Sequence, residues 1–356
     1  MTHHLDVLII GAAQAGLALA YHLRSTSLRF QLVDGGARLG DSWRARYDSL
    51  TPFTPRRFSA LPGLTLAGDP EGYAGRDEFA DYLEAYAHAL ALPVTTGARI
   101  RALDRAGGGF RAITERGECL EARAVVLATG AFQTPLVPAL AGGLASGVRQ
   151  FTPATYRNPG QIPVGATVVV VGDGATGRDL AGELAPGRTV YLATGRPRPT
   201  LPERFLGRNL FWWLAHTGAL TASPRTPIGR YLKESDGFPA HGNDLASLRR
   251  RGVLVRPRVT GAEGAQITFV DGETVTADAV IWATGSHDDS AWVRLAEAKD
   301  SRGNFVHAEG VSPTPGLFFI GRPWQRSRAS ALITGVGADA AFITRRLREH
   351  LNGPAR

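Results

Sequence analysis

The chain has 356 residues, of which 44% are hydrophobic and 20% charged, and its formal net charge at pH 7 is +8. This length exceeds one typical core and predicts two domains of a folded globular protein. No window contains the roughly eighteen consecutive apolar residues that a membrane span needs. The single cysteine, Cys119, excludes an intramolecular disulfide, a C-x-x-C redox pair and a cysteine-rich metal site.

Arginine carries nearly all of the positive charge, since only Lys233 and Lys299 among the 40 basic residues are lysines. The densest basic cluster, residues 249–251, is short and has no aromatic stacking pattern beside it, which favours solvated arginines over a nucleic-acid surface. A basic face could still attract an acidic protein or an anionic cofactor. The nine histidines show no ligand spacing, so we expect no metal site.

The amino-terminal residues MTHHLDVLII enter a strand directly, without a basic region or an A-x-A-like cleavage site. This pattern lacks the features of a secretory signal. We therefore expect a cytoplasmic protein with no membrane partner.

The first predicted unit reads DVLIIGAAQAGLALAYHL, residues 6–23, in which an apolar run stops at a glycine and a helix follows. Gly11, Ala13 and Gly16 occupy the three positions of G-x-G-x-x-G, the phosphate-binding turn of a Rossmann unit. The middle glycine normally lets the backbone approach a pyrophosphate closely, and here a methyl group stands in its place. We expect an altered site that still binds its dinucleotide.

A second unit, TVVVVGDGATGRDLAGELA at residues 167–185, carries the complete pattern at Gly172, Gly174 and Gly177. Two such turns, each with a strand before it and a helix after it, are stronger evidence for nucleotide binding than one turn. The strand–turn–helix context directs backbone N–H groups at a phosphate. Each unit is followed by a buried-type strand ending in Ala-Thr-Gly, at Thr129-Gly130 and at Thr284-Gly285. Such a turn lets a strand end close to a ligand at the sheet edge.

Between these landmarks, the spacing of apolar residues predicts both helices and strands. The predicted elements in chain order are a strand at 5–10, a helix at 14–26, a strand at 29–34, an irregular stretch at 48–75, a helix at 77–91, short strands over 94–129, a linker at 133–165, a strand at 167–171, a helix at 175–185, a strand at 188–193, a Trp-rich helical piece near 209–218, strands between 253 and 283, a strand at 316–321 and a helix at 328–350. The pattern predicts an α/β fold with two Rossmann-like dinucleotide-binding domains, of which one (151–285) is inserted into the other (1–150 and 286–356).

The residue after the second strand distinguishes the two nucleotide sites. In the first unit that strand ends on Asp34, which is placed to accept hydrogen bonds from the hydroxyls of an unmodified ribose. In the second unit it ends without an acid and runs into Arg196 and Arg198. Guanidinium groups would hold a 2′-phosphate, so this pattern favours NADPH, with solvated loop arginines as the alternative.

Six segments resemble the flavin-containing monooxygenase superfamily, closest to bacterial cation-efflux-associated flavoproteins, which are similar to plant auxin-forming monooxygenases. These segments are DVLIIGAAQAGLALAYHL, GDSW, LATGAFQTP, VVVVGDGATGRDLA, VIWATGS and GLFFIGRPWQ. The resemblance covers nearly the whole chain. It implies FAD on the first unit, NADPH on the second, hydride transfer from nicotinamide to flavin, and then reaction of the reduced flavin with oxygen.

The resemblance also assigns site residues. Trp43 would belong to a G-x-W loop beside the flavin, Thr176 would replace a usual serine, and Trp324 with Gln325 would match a segment whose helix points at the flavin ring. Core packing is the alternative for both tryptophans. The predicted cofactor-binding residues are Gly11, Ala13, Gln14, Ala15, Gly16, Asp34, Gly35, Gly40, Trp43, Thr129, Gly130, Gly172, Gly174, Ala175, Thr176, Gly177, Arg196, Arg198, Thr284, Gly285, Gly321, Trp324 and Gln325. No catalytic residue is assigned.

The sequence also departs from the family pattern. Besides Ala13, Thr152 stands where relatives carry histidine in the segment that ends at Tyr156, and no flavin-side asparagine is evident, so that Thr54 or Ser49 would have to substitute. The leading hypothesis is an NADPH-dependent FAD monooxygenase that uses O2 and a small organic substrate.

Two alternatives to the monooxygenase hypothesis stay open. One is an NADPH-dependent reductase that passes electrons to a quinone or to an acidic, ferredoxin-like carrier. The other is a degenerate nucleotide-binding sensor or accessory protein.

The Trp-rich stretch with Trp212 and Trp213 could line the substrate pocket, although an interdomain packing helix is the favoured interpretation.

Overall fold

The computed structural model describes residues 4–239 and 241–353. The two predicted domains also include residues outside the described ones, namely 1–3, 240 and 354–356. The helices are α1 (Gln14–Leu23), α2 (Asp41–Arg44), α3 (Arg76–Ala89), α4 (Ala175–Leu184), α5 (Leu210–His216), α6 (Pro227–Ser235), α7 (Leu245–Arg250) and α8 (Ile333–Asn352). Short 3₁₀ turns lie at Arg56–Phe58, Ala139–Gly143, Pro159–Gln161, Ala219–Thr221, Ala296–Ala298 and Arg328–Ala331.

The strands form two main parallel sheets and several short ribbons. In chain order they are β1 (His4–Ile10), β2 (Phe30–Val33), β3 (Val94–Thr95), β4 (Ile100–Ala106), β5 (Gly109–Thr114), β6 (Cys119–Leu127), β7 (Thr134–Pro135), β8 (Arg149–Phe151), β9 (Thr167–Val171), β10 (Thr189–Ala193), β11 (Thr200–Leu201), β12 (Arg204–Phe205), β13 (Arg208–Asn209), β14 (Phe238–Pro239), β15 (Leu254–Arg256), β16 (Val259–Glu263), β17 (Gln266–Phe269), β18 (Thr274–Thr276), β19 (Ala279–Trp282), β20 (Ser286–His287) and β21 (Leu317–Phe319).

The first sheet has a parallel part in the order β3-β2-β1-β6, with β1 paired to both β2 and β6. The amino-terminal half of β6 continues into the antiparallel meander β6-β5-β4, whereas its carboxyl-terminal half pairs in parallel with β21. Helices α1 and α8 contribute Leu17 and Ile343 to the core on one face, while Leu295 and Phe305 pack on the other face. Both faces are covered, as a parallel sheet requires.

The second sheet is parallel throughout, in the order β15-β10-β9-β19-β8. Helix α4 packs on one face through Leu180 and Leu184, and the ribbon β16-β17-β18 covers the other face with Ile267 and Phe269. Two Rossmann-like units in one α/β chain are therefore confirmed. The domain limits at residues 150 and 285 stay a prediction, and the edge strand β8 joins the second sheet from residue 149 onwards.

Two predicted helices differ from the observed ones by three or more residues at one end. Helix α1 ends at Leu23, three residues early, because the Thr26 hydroxyl donates to the Leu23 carbonyl 2.7 Å away and closes the end. The last α-helix begins at Ile333 and not at 328, because Leu332 is extended (ψ 151°). A 3₁₀ turn precedes it, and the Ser330 hydroxyl accepts from the backbone N–H groups of residues 326 and 327, 3.0 and 3.1 Å away.

Sequence analysis did not assign α6 and α7, although each begins with an ordinary capping signal. Thr226 precedes Pro227 and accepts from the backbone N–H of Gly229, and Asp244 accepts from two N–H groups of the first turn of α7. The predicted linker at 133–165 is also wrong in part, since it contains β7 and β8. Each helix of the described residues is too short or too polar to cross a bilayer.

Candidate dinucleotide sites and the pocket beside them

The first turn, residues 11–16, joins β1 to α1 at the carboxyl edge of the first sheet. Gly11 has φ +106°, and a Cβ there would lie 2.6 Å from the Ala128 carbonyl oxygen. A Cβ on Gly16 would overlap the Gly11 carbonyl and lie 3.1 Å from its carbon. Only glycine fits at either position, so the amino terminus of α1 packs tightly against the strand end with its free N–H groups directed outward.

Ala13 is the N-cap of α1 with φ −84° and ψ −167°, an extended conformation that any residue adopts. Its counterpart Gly174 in the second turn has φ −67° and ψ 179°, and a Cβ there would meet no protein atom within 4 Å. The middle position therefore needs no glycine for folding. The methyl group of Ala13 acts only on a ligand phosphate that approaches the turn.

Asp34 stabilises this turn. Its Oδ2 accepts from the Ala12 N–H and its Oδ1 from the Gly36 N–H, both at 2.8 Å. The side chain of Arg99 lies against Gly35, within 3.3 Å of a Cβ placed there. Each carboxylate oxygen keeps a lone pair, so Asp34 can still accept from a ribose hydroxyl. The turn-stabilising role was missed by the sequence analysis.

Further predicted residues meet at the amino terminus of α1. The Trp43 indole N–H donates to the Gln14 amide oxygen at 3.1 Å, and its ring packs edge-on against Phe79. A Cβ on Gly321 (φ +81°) would lie 2.9 Å from the Cβ of Ala15. Trp43 and Gly321 therefore lie at the start of α1. Gly40 (φ +84°) precedes α2, and a Cβ there would lie 2.6 Å from the Ala80 carbonyl oxygen of α3. Trp43 serves core packing as well.

Trp324 and Gln325 lie in the turn that follows β21. Trp324 is in the left-handed region (φ +57°), and Gln325 is buried with its amide N–H donating to the Phe319 carbonyl at 3.0 Å. This bond places the Gln325 side chain inside the turn. The helix that was predicted to point at the flavin ring was expected to begin at residue 328. In the structure the 3₁₀ turn Arg328–Ala331 occupies this position, ahead of α8.

The second turn, residues 172–177, repeats the geometry of the first. Gly172 has φ +107°, and a Cβ there would lie 2.9 Å from the carbonyl carbon of Ala283. A Cβ on Gly177 would lie 2.9 Å from the carbonyl carbon of Gly172 and closer still to its oxygen. Ala175 opens α4 and is followed by Thr176 in the first turn of the helix.

The second turn also contains a buried ion pair that was not predicted. Asp173 and Arg178 are 3% and 2% exposed, with Arg178 Nη2 3.2 Å from Asp173 Oδ2. Asp173 Oδ1 accepts from the Gly195 N–H at 3.0 Å, which fixes the end of β10 against the turn. The signal in the sequence was an acid inside the glycine motif with an arginine five residues later.

Arg196 and Arg198 follow the carboxyl end of β10 and share a carboxylate that was not predicted. Both guanidinium groups contact the same oxygen, Asp236 Oδ2, at 3.2 and 2.8 Å. Arg198 Nη1 also lies 3.9 Å from Asp173 Oδ1, and Asp173 is itself paired with Arg178. Three guanidinium groups facing two carboxylates leave a net positive charge for an anion.

The two Ala-Thr-Gly turns are connected by the segments through which the chain crosses between the sheets. Strand β7 pairs antiparallel with β20, the Leu136 N–H donates to the Gly285 carbonyl at 2.9 Å, and the Thr284 hydroxyl donates to the Leu136 carbonyl. Gln133 donates to Thr129 Oγ1 and the Gly130 carbonyl at 2.8 Å each, and its oxygen accepts from the N–H of residue 289. The carboxyl edges of the two sheets are thus held next to each other.

A polar contact joins the loop after α2 to α4. The Tyr47 hydroxyl donates to Asp179 Oδ2 at 3.3 Å, and the Tyr156 hydroxyl donates to Glu183 Oε2 at 3.0 Å. Burial raises the pKa of both carboxyl groups above the usual range. Each carboxyl group on this helix face therefore costs free energy when it is ionised.

One of the two proposed substitutes for a flavin-side asparagine is already hydrogen-bonded. The buried Thr54 hydroxyl bonds to the Ser59 hydroxyl at 2.6 Å, so it is not free for a ligand. Thr152 lies in the loop before Tyr156, whose backbone N–H donates to the Thr152 carbonyl.

An apolar pocket lies between α5, α6 and the segment before α8. Counted out to the solvent, its empty volume is ≈ 630 Å³. From α5 it is lined by Leu210, Phe211 and Leu214. Trp212 and Trp213 do not line it, since Trp212 stacks on His216 and Trp213 packs edge-on against Phe205.

Comparison with known proteins places this geometry in a family. Residues 8–199 match the family model for pyridine nucleotide-disulphide oxidoreductases. The chain is 41% identical to an uncharacterized CzcO-like oxidoreductase of Geobacillus kaustophilus over 98% of this chain and 100% of that protein. It is 31% identical to the indole-3-pyruvate monooxygenase YUCCA1 of Oryza sativa subsp. japonica, over 86% of this chain and 82% of that protein.

Among solved structures, the flavin-containing monooxygenase of Stenotrophomonas maltophilia superposes with a TM-score of 0.79 at 25% identity, covering 98% of each chain. A glycine turn at the carboxyl edge of each sheet fits a dinucleotide, with the Asp34 carboxylate beside the first turn, and the family implies FAD and NADPH as the two cofactors. With one cysteine, the chain has no dithiol for the disulphide chemistry in the family's name. The chain is a flavin-dependent oxidoreductase that belongs to the pyridine nucleotide-disulphide oxidoreductase family and, within it, to the flavin-containing monooxygenases.

Proposed function

We propose that this protein is an NADPH-dependent FAD monooxygenase that acts on a small organic substrate. The paired crossing segments β7 and β20 carry the proposal, because they hold the carboxyl edges of the two sheets side by side. Nucleotides bind at that edge of a parallel sheet, so two dinucleotides bound there would face each other.

The first turn is the FAD site in this proposal. The N–H groups of the first turn of α1 receive the pyrophosphate, and the free lone pairs of Asp34 accept from the ribose hydroxyls. Trp43, fixed by Gln14, limits the space beside the turn.

The second turn is the NADPH site. Arg196 and Arg198 hold the 2′-phosphate, which replaces Asp236 as their partner. Bound FAD would supply the redox chemistry, accepting a hydride from NADPH and transferring electrons to O2. The chain itself orients the two dinucleotides and keeps water away from the space between them.

The coenzyme assignment is tested by replacing Arg196 and Arg198 with alanine together. With the FAD-loaded protein, KM for NADPH should rise at least about tenfold, while KM for NADH, which lacks the 2′-phosphate, should change little. Arg249→Ala, an exposed arginine on α7, is the matched control for lost surface charge. An equal change in both KM values would remove the phosphate assignment.

Oxygenation is tested separately with ¹⁸O2. The NADPH-reduced protein is mixed with ¹⁸O2 and a panel of small sulfides, amines, ketones and 2-oxo acids, the last because one relative is an indole-3-pyruvate monooxygenase. Label in an organic product supports the proposal. Release of hydrogen peroxide alone, with fast reduction of an added quinone or ferredoxin, would indicate a reductase and contradict it.

A further inference from the structure

The apolar pocket lies between α5, α6 and the segment before α8. Its walls come from the predicted NAD(P)-binding domain and from the carboxyl-terminal part of the predicted FAD-binding domain. Phe211 and Leu220 pack there with Ala329, which precedes α8. The other lining side chains are almost all apolar, and Ser235 directs its hydroxyl to the Leu232 carbonyl. Tyr231, 68% exposed, stands at the opening. A pocket of this kind suits an apolar ligand that enters from solvent.

Arg328 is the charged residue in this lining. Among the residues that the structure describes, no carboxylate lies within ion-pair distance of its guanidinium group, and the group donates no hydrogen bond. Its one close partner is the Trp324 ring, whose centroid lies 6.0 Å away. Burial lowers the pKa of Arg328, although a guanidinium group remains charged at any physiological pH.

Two other arginines with little solvent around them have polar partners. Arg178 pairs with Asp173, and Arg46 donates to the carbonyl of residue 132. Asp236, the carboxylate that attracts Arg328 through space, is bonded to Arg196 and Arg198. The partly exposed guanidinium group of Arg328 therefore has free donors on the pocket lining, and an anion that enters the pocket can pair with them.

We propose that Arg328 anchors the carboxylate of an apolar carboxylic acid whose hydrocarbon part fills this pocket. A planar guanidinium group can hold a carboxylate through two parallel hydrogen bonds, and the walls accept an aromatic or branched chain. The proposal rests on the proposed function in treating this acid as the substrate class. Binding itself requires neither NADPH nor oxygen.

The test is calorimetric titration of the FAD-loaded protein, without NADPH, using 3-phenylpropanoate and its neutral amide, 3-phenylpropanamide. The acid should bind at least about tenfold more tightly than the amide. Arg328→Leu should remove that preference while leaving the affinity for the amide within about threefold, and Arg328→Lys, which keeps the charge but not the paired donors, should fall between. Arg230→Leu, an exposed arginine on α6 outside the pocket lining, is the control and should behave as the wild type.

Equal affinity for acid and amide, or no binding of either, would overturn the proposal. So would a loss of NADP⁺ affinity in Arg328→Leu with unchanged binding of the acid, because Arg328 would then belong to the coenzyme site. The melting temperature and flavin spectrum of each variant report folding, and Arg328→Lys keeps the test decisive if the leucine variant is unstable. Since no turnover is measured, a failure of oxygenation does not affect the outcome.

Discussion

The tight packing of the second turn can be tested with a matched pair of glycine substitutions. In Gly177→Ala the new Cβ would lie 2.9 Å from the carbonyl carbon of Gly172, whereas ordinary contact begins at 3.4 Å. The carbonyl group that it would overlap belongs to the backbone, and the position of a Cβ is fixed by its own backbone, so no side-chain rotation relieves the overlap. In Gly174→Ala the new Cβ meets no protein atom within 4 Å, and φ is already −67°.

Overpacking of this kind lowers the free energy of unfolding by about 1–3 kcal/mol. Because the new Cβ would overlap a backbone carbonyl group, we expect Gly177→Ala to lie near the upper value. At roughly 2–4 °C per kcal/mol for a domain of this size, the melting temperature should fall by about 10 °C. Gly174→Ala should melt within about 2 °C of the wild type. Its methyl group would meet the pyrophosphate instead, so the Kd for NADP⁺ should rise about tenfold, equivalent to about 1.4 kcal/mol.

The assay is thermal unfolding by circular dichroism, combined with calorimetric titration of NADP⁺ into the FAD-loaded variants. The glycine roles assigned here would be refuted if Gly177→Ala melted like the wild type. They would equally be refuted if Gly174→Ala lost as much thermal stability as Gly177→Ala, since the middle position would then matter for folding and not for the ligand.

Three further outcomes follow from the described contacts. Ala13→Gly should lower the Kd for FAD several-fold in equilibrium dialysis with little change in melting temperature, because only a ligand meets the methyl group; unchanged FAD retention would contradict this. Glu183→Gln should raise the melting temperature at pH 8, with the gain shrinking toward pH 4.5. Burial raises the Glu183 pKa above 4.5, so the ionised group costs stability as pH rises beyond that value, and a gain independent of pH would argue against this reason. Asp173→Ala should cost about 3–5 kcal/mol in denaturant unfolding by leaving Arg178 buried and unpaired, and a loss below 1 kcal/mol would show that water or another group replaces the carboxylate.

The local pattern was sufficient to predict the two Rossmann-like units. A strand, a glycine turn and a helix are contiguous in sequence, and the need for glycine at Gly11 and Gly172 arises from a positive φ that is a local property. The Asp34 position followed from its place at the end of the second strand. The same locality explains why α6 and α7 could have been found from their capping residues.

Other features depend on residues that are distant in sequence. Asp236 lies about forty residues after Arg196, and nothing in either segment shows that the two side chains meet. Asp173 reaches the end of β10 because the parallel pairing of β9 and β10 places that strand end beside the turn. The late start of α8 likewise depends on Ser330 bonding back to the chain before it.

By itself, the sequence determined the number of nucleotide-binding turns, their glycines and the family of the chain, because these depend on short runs with a fixed spacing. Only the tertiary structure decided that the two Ala-Thr-Gly turns adjoin through β7 and β20, and that Arg328 lies in the lining of an apolar pocket. Adjacency and the make-up of a pocket are properties of all the chain segments around a site. They become visible only when those segments are packed together.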